Sequence, residues 1–196
     1  MALPDAATAR RAQILDAATG VFLRFGFRKT SMDDLARAAG LSRQGLYLQF
    51  PTKEALFKDA VRNVIATTRA AAQAALARTD AGVEDRLLNA FDALHGHAIG
   101  TPGAEHLPEL LETATQLVGP VFEDLEQTFV ADVARILRAT GVADKWKAAG
   151  VSAKDLAVHL YTASNGAKHR PGTHADYRDH MRTAIRIVCR AGESGS

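Results

Sequence analysis

Apolar residues recur every three or four positions along almost the whole chain, which is the period of a helix with one buried stripe. No stretch of alternating apolar and polar residues bounded by turns interrupts that pattern. The pattern predicts an all-α fold. Ile14, Ala18, Val21, Phe22 and Phe25 make a first stripe between a polar start near Ala7 and Gly26, which reads as the helix breaker. Ser31, with Asp34 three residues on, has the spacing of a capping box and opens a second helix that runs to Gly40. A third, short helix starts at Ser42 and turns Leu46 inward. Phe50-Pro51-Thr52 then separates it from a long helix capped by Thr52.

Beyond Lys53 the punctuation thins. Thr79-Asp80-Ala81-Gly82, Gly100-Thr101-Pro102-Gly103, Gly119-Pro120, Gly141, Gly150 and Pro171-Gly172 divide longer helical segments. Ser152 with Asp155, and Thr173 with Asp176, repeat the capping-box spacing. The helix after Thr173 has the stripe Tyr177, Met181, Ala184, Ile185, Val188, and on another face Arg178, Arg182, Arg186 and Arg190 at spacing four. No repeat of domain-array length is present.

Composition narrows the class. With 47% hydrophobic and 23% charged residues among 196, the chain is an ordinary globular one. A lone cysteine, Cys189, excludes a disulfide framework and fits a reducing compartment. No apolar run is long enough to span a bilayer and no export signal is recognisable, so a cytoplasmic protein without a membrane partner is expected. The net charge of +2 says little, but its distribution does. Residues 1–55 carry eight Lys/Arg against five acids, and the remainder is slightly acidic. The positive end is therefore where a phosphate backbone would be met.

Within that end, Ser31–Phe50 has what two short helices crossing steeply require. Ala36 is a small contact residue, Gly40 can end the first helix in the left-handed region, Leu41 closes the turn and Leu46 plugs the second helix against the first. Arg43, Gln44, Gly45, Tyr47 and Gln49 are left facing outward. They supply hydrogen-bonding tips, one cation and a glycine permitting close approach, which suits an edge laid in a major groove. Arg43 and Gln44 are the expected base readers. Ser31 and Ser42 are expected as helix caps, with phosphate contact an additional role that the residues leave open.

The strings Phe25-Gly26-Phe27-Arg28-Lys29-Thr30-Ser31, Leu35-Ala36-Arg37-Ala38-Ala39-Gly40-Leu41-Ser42 and Gly45-Leu46-Tyr47-Leu48-Gln49-Phe50-Pro51-Thr52-Lys53-Glu54-Ala55-Leu56 together resemble the N-terminal domain of the TetR regulators. The resemblance covers about residues 10–57. It implies that Thr30 and Ser31 approach phosphates and that Ser42, Arg43, Gln44, Gly45 and Tyr47 lie along the recognition helix. Lys53, at a helix N-terminus, would anchor a backbone phosphate. Gln49 stands where the family usually has histidine, which keeps a hydrogen-bonding group and loses a cation.

The resemblance also implies a helix-turn-helix DNA-binding domain over residues 1–56 and a helical ligand-binding and dimerisation domain over residues 57–196. It further implies a repressor that binds a palindromic, double-stranded operator as a homodimer and is released by a small-molecule effector. Leu156, Leu160, Ala163 and Ala167, with the Tyr177-to-Val188 stripe, are the expected faces of a four-helix dimer interface made by the last two helices. Phe91, His95, Thr115, Phe122, Phe129, Tyr161 and Asn165 are candidates for the effector pocket, and core packing is the plainer account of each aromatic.

No cofactor or metal is expected, since the histidine spacings do not converge on one helix face. No phosphate-cradling glycine loop, zinc-binding helix or nucleophile elbow points to an enzyme. The alternative is a helical effector-binding or interaction module whose helix-turn-helix does not meet DNA.

Overall fold

The computed structural model describes residues 6–96, 99, 106–170 and 172–190. Among the described residues there is no strand. The chain forms helices α1 (Ala6–Lys29), α2 (Met32–Ala38), α3 (Arg43–Gln49), α4 (Lys53–Ala77), α5 (Val83–His95), α6 (Leu107–Val118) and α7 (Val121–Ala139). A 3₁₀ segment (Ala143–Ala149) follows, then α8 (Ala153–Lys168) and α9 (His174–Arg190). Two compact units result, one from residues 1–67 and 102–122, the other from 68–101 and 123–196. Packing therefore groups α6 with the N-terminal helices, across the division at residue 56 that the sequence suggests.

In the first unit, Ile14, Ala18 and Phe22 of α1 pack on Leu35 and Ala36 of α2, Leu46 of α3, Phe50, and Leu56 and Phe57 of α4. The rings of Phe22, Phe27 and Phe57 meet at 4.9–5.9 Å. Phe25 departs from the predicted stripe. It is 46% exposed, and its neighbour Gly26 takes φ 76°, ψ 168°, a conformation essentially reserved for glycine. That bend re-aims the chain so that Phe27, two residues later, points at the core instead.

In the second unit, Leu87 and Phe91 of α5, Phe129, Val133 and Leu137 of α7, Leu156 and Leu160 of α8 and Met181 and Ile185 of α9 form one core. Capping boxes stand where the spacing predicts them: Ser152 with Asp155 before α8, and Thr173 with Asp176 before α9. The 3₁₀ segment ties down the end of α9, with Trp146 Nε1 donating to Val188 O and Lys145 Nζ to Cys189 O, both at 2.9 Å. The arginine row of α9 is partly paired: Arg178 meets Asp92 at 2.6 Å and Arg190 meets Glu84 at 3.2 Å, clasping α9 to α5.

The stripes expected to form a dimer interface are used within the chain itself. Leu156, Leu160 and Ala167, and Tyr177, Met181, Ile185 and Val188, are all buried in this core. The outward faces of α8 and α9 carry different apolar residues, Val158 at 44% and Ile187 at 60% exposure.

Candidate nucleic-acid interface

The crossing of α2 and α3 is set by three local devices. Ser31 Oγ accepts from the Asp34 amide at 3.2 Å, and the Asp34 carboxylate accepts from the Ser31 amide and hydroxyl, completing the capping box. Those bonds from Ser31 hold the Asp34 carboxyl below its ordinary value, so the box stays ionised. At the other end of α2, Gly40 takes φ 64°, and the Leu41 amide donates back to Ala36 O at 2.9 Å while Gly40 donates to Arg37 O at 3.2 Å. This is the double bond pattern of a Schellman stop, and it explains why glycine occupies position 40. Ser42 then caps α3 by accepting from the Gly45 amide at 3.0 Å.

With Leu46 fully buried, α3 offers its other faces to solvent. Arg43, Gln44, Tyr47, Leu48 and Gln49 are exposed, Gly45 is partly so, and no acidic residue lies on the helix. Arg43 and Tyr47, one turn apart, form a pair in which the guanidinium lies 5.6 Å from the ring centroid. The same guanidinium reaches Asp33 of α2 at 3.2 Å.

Two positions are placed otherwise than the resemblance implies. Thr30 is 3% exposed and its hydroxyl donates to Gly26 O at 2.6 Å, so it braces the bend after α1 and presents no hydroxyl to a phosphate. Lys53 folds back: its ammonium donates to Phe27 O and Thr30 O, each at 2.9 Å, and sits 4.4 Å from the Phe27 ring centroid. Two of its three donor hydrogens are thus engaged inside the protein. Sequence spacing alone did not show this, because the acceptors are main-chain carbonyls that the bend at Gly26 brings into reach.

Leu48 was missed at the sequence level. It is 82% exposed, the most exposed large apolar side chain among the described residues. The signal was available in the helix period, since position 48 lies opposite position 46.

The effector candidates fall into separate places. Phe91, His95, Phe129 and Tyr161 come together in the second unit, with Phe91 and Phe129 at 5.0 Å, His95 and Tyr161 at 5.6 Å and Phe129 and Tyr161 at 6.5 Å. Asn165 is exposed on α8. Thr115, its hydroxyl donating to Leu111 O, and Phe122 both belong to the first unit. There Phe122 lines an apolar cleft of about 170 Å³ with Phe22, Phe57, Val61, Leu110 and Ala114.

Beside the aromatic cluster runs a buried polar chain. The Tyr177 hydroxyl donates to Phe91 O at 2.9 Å, Ser164 lies 2.7 Å from that hydroxyl, and His95 Nδ1 lies 2.7 Å from Ser164. A carbonyl can only accept, so each hydroxyl spends its one proton in the same direction and Nδ1 carries the imidazole proton. Burial, with Lys168 and His169 adding like-charge repulsion, pushes His95 down to about 3, and it is neutral at physiological pH. No group of three or more metal-ligating side chains is gathered among the described residues, and no helix there is long and apolar enough to cross a membrane.

Comparison with known proteins bears on this geometry. Residues 14–60 match the family described as bacterial regulatory proteins, tetR family. The HTH-type transcriptional regulator RutR of Escherichia coli K12 is 38% identical over 60 residues, 31% of this chain and 28% of that protein. The uncharacterized HTH-type transcriptional regulator YfiR of Bacillus subtilis 168 is 47% identical over 49 residues, 25% of this chain and 24% of YfiR. The matches therefore span less than a third of these relatives' lengths. Over nearly the whole chain, the fold is that of a TetR-like transcriptional regulator from Rhodococcus sp. RHA1, with a TM-score of 0.61 at 22% identity, covering 95% of this chain and 97% of that one.

Proposed function

We propose that this chain, whose residues 14–60 match the family of bacterial regulatory proteins, tetR family, is a ligand-responsive transcriptional regulator, a repressor in its simplest form. It binds a palindromic DNA operator as a homodimer and is released by a small-molecule effector. The observation that carries the reading is the exposed edge of α3, where Arg43, Gln44, Tyr47 and Gln49 surround a buried Leu46 on a helix without acids. A guanidinium can bond guanine and a carboxamide adenine in bidentate fashion, each worth roughly 1–3 kcal/mol of discrimination. Ser42 and Ser31, at the exposed starts of α3 and α2, are suited to phosphates. Thr30 and Lys53 act indirectly, by fixing the bend that carries α2.

One such head reads few base pairs, so two are needed, about one helical turn or roughly 34–36 Å apart. Val158 and Ile187, apolar and outward on α8 and α9, support pairing of the last two helices with their copies in a second chain. The aromatic cluster around Phe91, Phe129 and Tyr161, with the neutral His95 beside it, is the region offered for an apolar effector with a hydrogen-bonding group.

The test is selection of bound sequences from random duplexes, followed by titration at 50 and 200 mM salt. An enriched palindrome whose affinity falls steeply with salt is expected. Failure to enrich any sequence overturns the regulator reading in favour of a module that does not meet DNA.

A further inference from the structure

We infer that Leu48 is a base-reading residue, and that the group it reads is the C5 methyl of thymine in the major groove. The inference rests on the DNA-binding reading and deepens it by naming what one half-site must contain. Residues of an α-helix are spaced about 100° apart, so with Leu46 pointing into the core, Gln44 and Leu48 lie within about 20° of the opposite direction. They form the ridge of α3, while Arg43 and Tyr47 sit on one flank and Gly45 and Gln49 on the other. Whatever groove α3 enters, Gln44 and Leu48 enter deepest.

The chemistry of the ridge then selects its target. Leu48 is 82% exposed on a helix whose other outward residues are mostly polar. Most of what a base edge offers in the major groove is hydrogen-bond donors and acceptors; the apolar group available there is the thymine methyl. A phosphate would gain nothing from a leucine. Gln44, one turn earlier on the same ridge, has the carboxamide that matches adenine. Four residues of helix rise about 6 Å, close to two base steps of about 3.4 Å, so the ridge calls for an adenine and a thymine about two steps apart in each half-site.

The experiment uses the full-length chain and the operator obtained by selection. Each thymine is replaced in turn by uracil, which removes only the methyl group, and binding is measured by fluorescence anisotropy at fixed salt for the wild type and for Leu48→Ala. One thymine per half-site is expected to respond: uracil there weakens the wild type about fourfold, which corresponds to about 0.8 kcal/mol for one buried methyl. Leu48→Ala is expected to bind the thymine and uracil operators equally, with an unchanged salt dependence, because phosphate contacts come from other residues. Indifference of the wild type to uracil at every position overturns the role of Leu48 while leaving DNA binding intact. So does a uracil penalty that persists undiminished in Leu48→Ala. Absence of any enriched operator overturns the DNA-binding reading, and this inference with it.

Discussion

The Arg43 guanidinium is held 3.2 Å from the Asp33 carboxylate, across the turn between α2 and α3. Both side chains are more than half exposed, so the pair contributes little to stability, in the range of about 0–1 kcal/mol. Its consequence is for binding. Without DNA, the expected guanine reader is occupied by an acid on the preceding helix, and a duplex must compete for it. Asp33→Asn frees Arg43 and removes one negative charge from the face proposed to meet phosphates. The variant is expected to bind random duplex several-fold more tightly while melting within a degree or two of the wild type. It should discriminate less well between operator and random DNA, as read by anisotropy with both duplexes. Unchanged affinity for random DNA would show that the pair does not restrain the arginine.

Much of this arrangement was legible in the sequence, and the exceptions have physical causes, some local, as at the Gly26 bend that turns Phe25 outward and takes up the Thr30 hydroxyl. The capping boxes at Ser31, Ser152 and Thr173, the stop at Gly40 and the inward Leu46 are local features, decided by residues three or four apart, and the structure has each of them. Two departures concern partners distant in the chain. Lys53 bonds carbonyls 23 and 26 residues earlier, which no spacing rule anticipates. The stripes of α8 and α9 were rightly read as apolar, but periodicity says only that a face is buried, not against what. α8 and α9 pack on each other and on α5, leaving Val158 and Ile187 outside.

Lys53 and the carbonyls of Phe27 and Thr30 give the next prediction. Lys53→Met keeps the aliphatic stem against the Phe27 ring but deprives two part-buried carbonyls of a charged donor. The loss is expected to cost about 1–3 kcal/mol of stability, seen as a lower urea midpoint at unchanged slope. A lysine serving only as a phosphate anchor would leave the urea midpoint where it is and weaken DNA binding alone.

Gly26 is the bend on which both Thr30 and Lys53 depend. A Cβ at this position would stand 2.7 Å from Glu109 Oε2, and φ 76° with ψ 168° is costly for any L side chain. Gly26→Ala would also displace the Glu109 carboxylate that accepts from the Arg28 amide at 2.9 Å. The variant is expected to lose about 1–3 kcal/mol in urea denaturation and to bind operator more weakly, since the carbonyls that seat Lys53 move with the bend. Gly20→Ala is the control: it lies within α1 with nothing near its added methyl and is expected to be neutral or mildly stabilising.

His95 makes stability depend on pH in a direction that follows from its burial. Its folded value is about 3 against an ordinary 6.5, so between those limits the unfolded chain binds a proton that the native chain does not. The stabilisation is present in full above about pH 6.5. As the pH falls toward 3 it is lost, at roughly 1.4 kcal/mol for each unit crossed. Acids that are hydrogen-bonded when folded, such as Asp34 and Asp155, have lowered values and contribute losses in the same direction nearer pH 4 and below. The variant His95→Asn separates the two, because it retains a donor for Ser164 but does not titrate. Urea midpoints at pH 7.0, 6.0 and 5.0 are expected to fall for the wild type and to stay nearly level for His95→Asn, the two lines diverging from about pH 6.5 downward. Parallel lines would mean that His95 takes up a proton in the native state, and that the polar chain through Ser164 and Tyr177 accommodates an imidazolium.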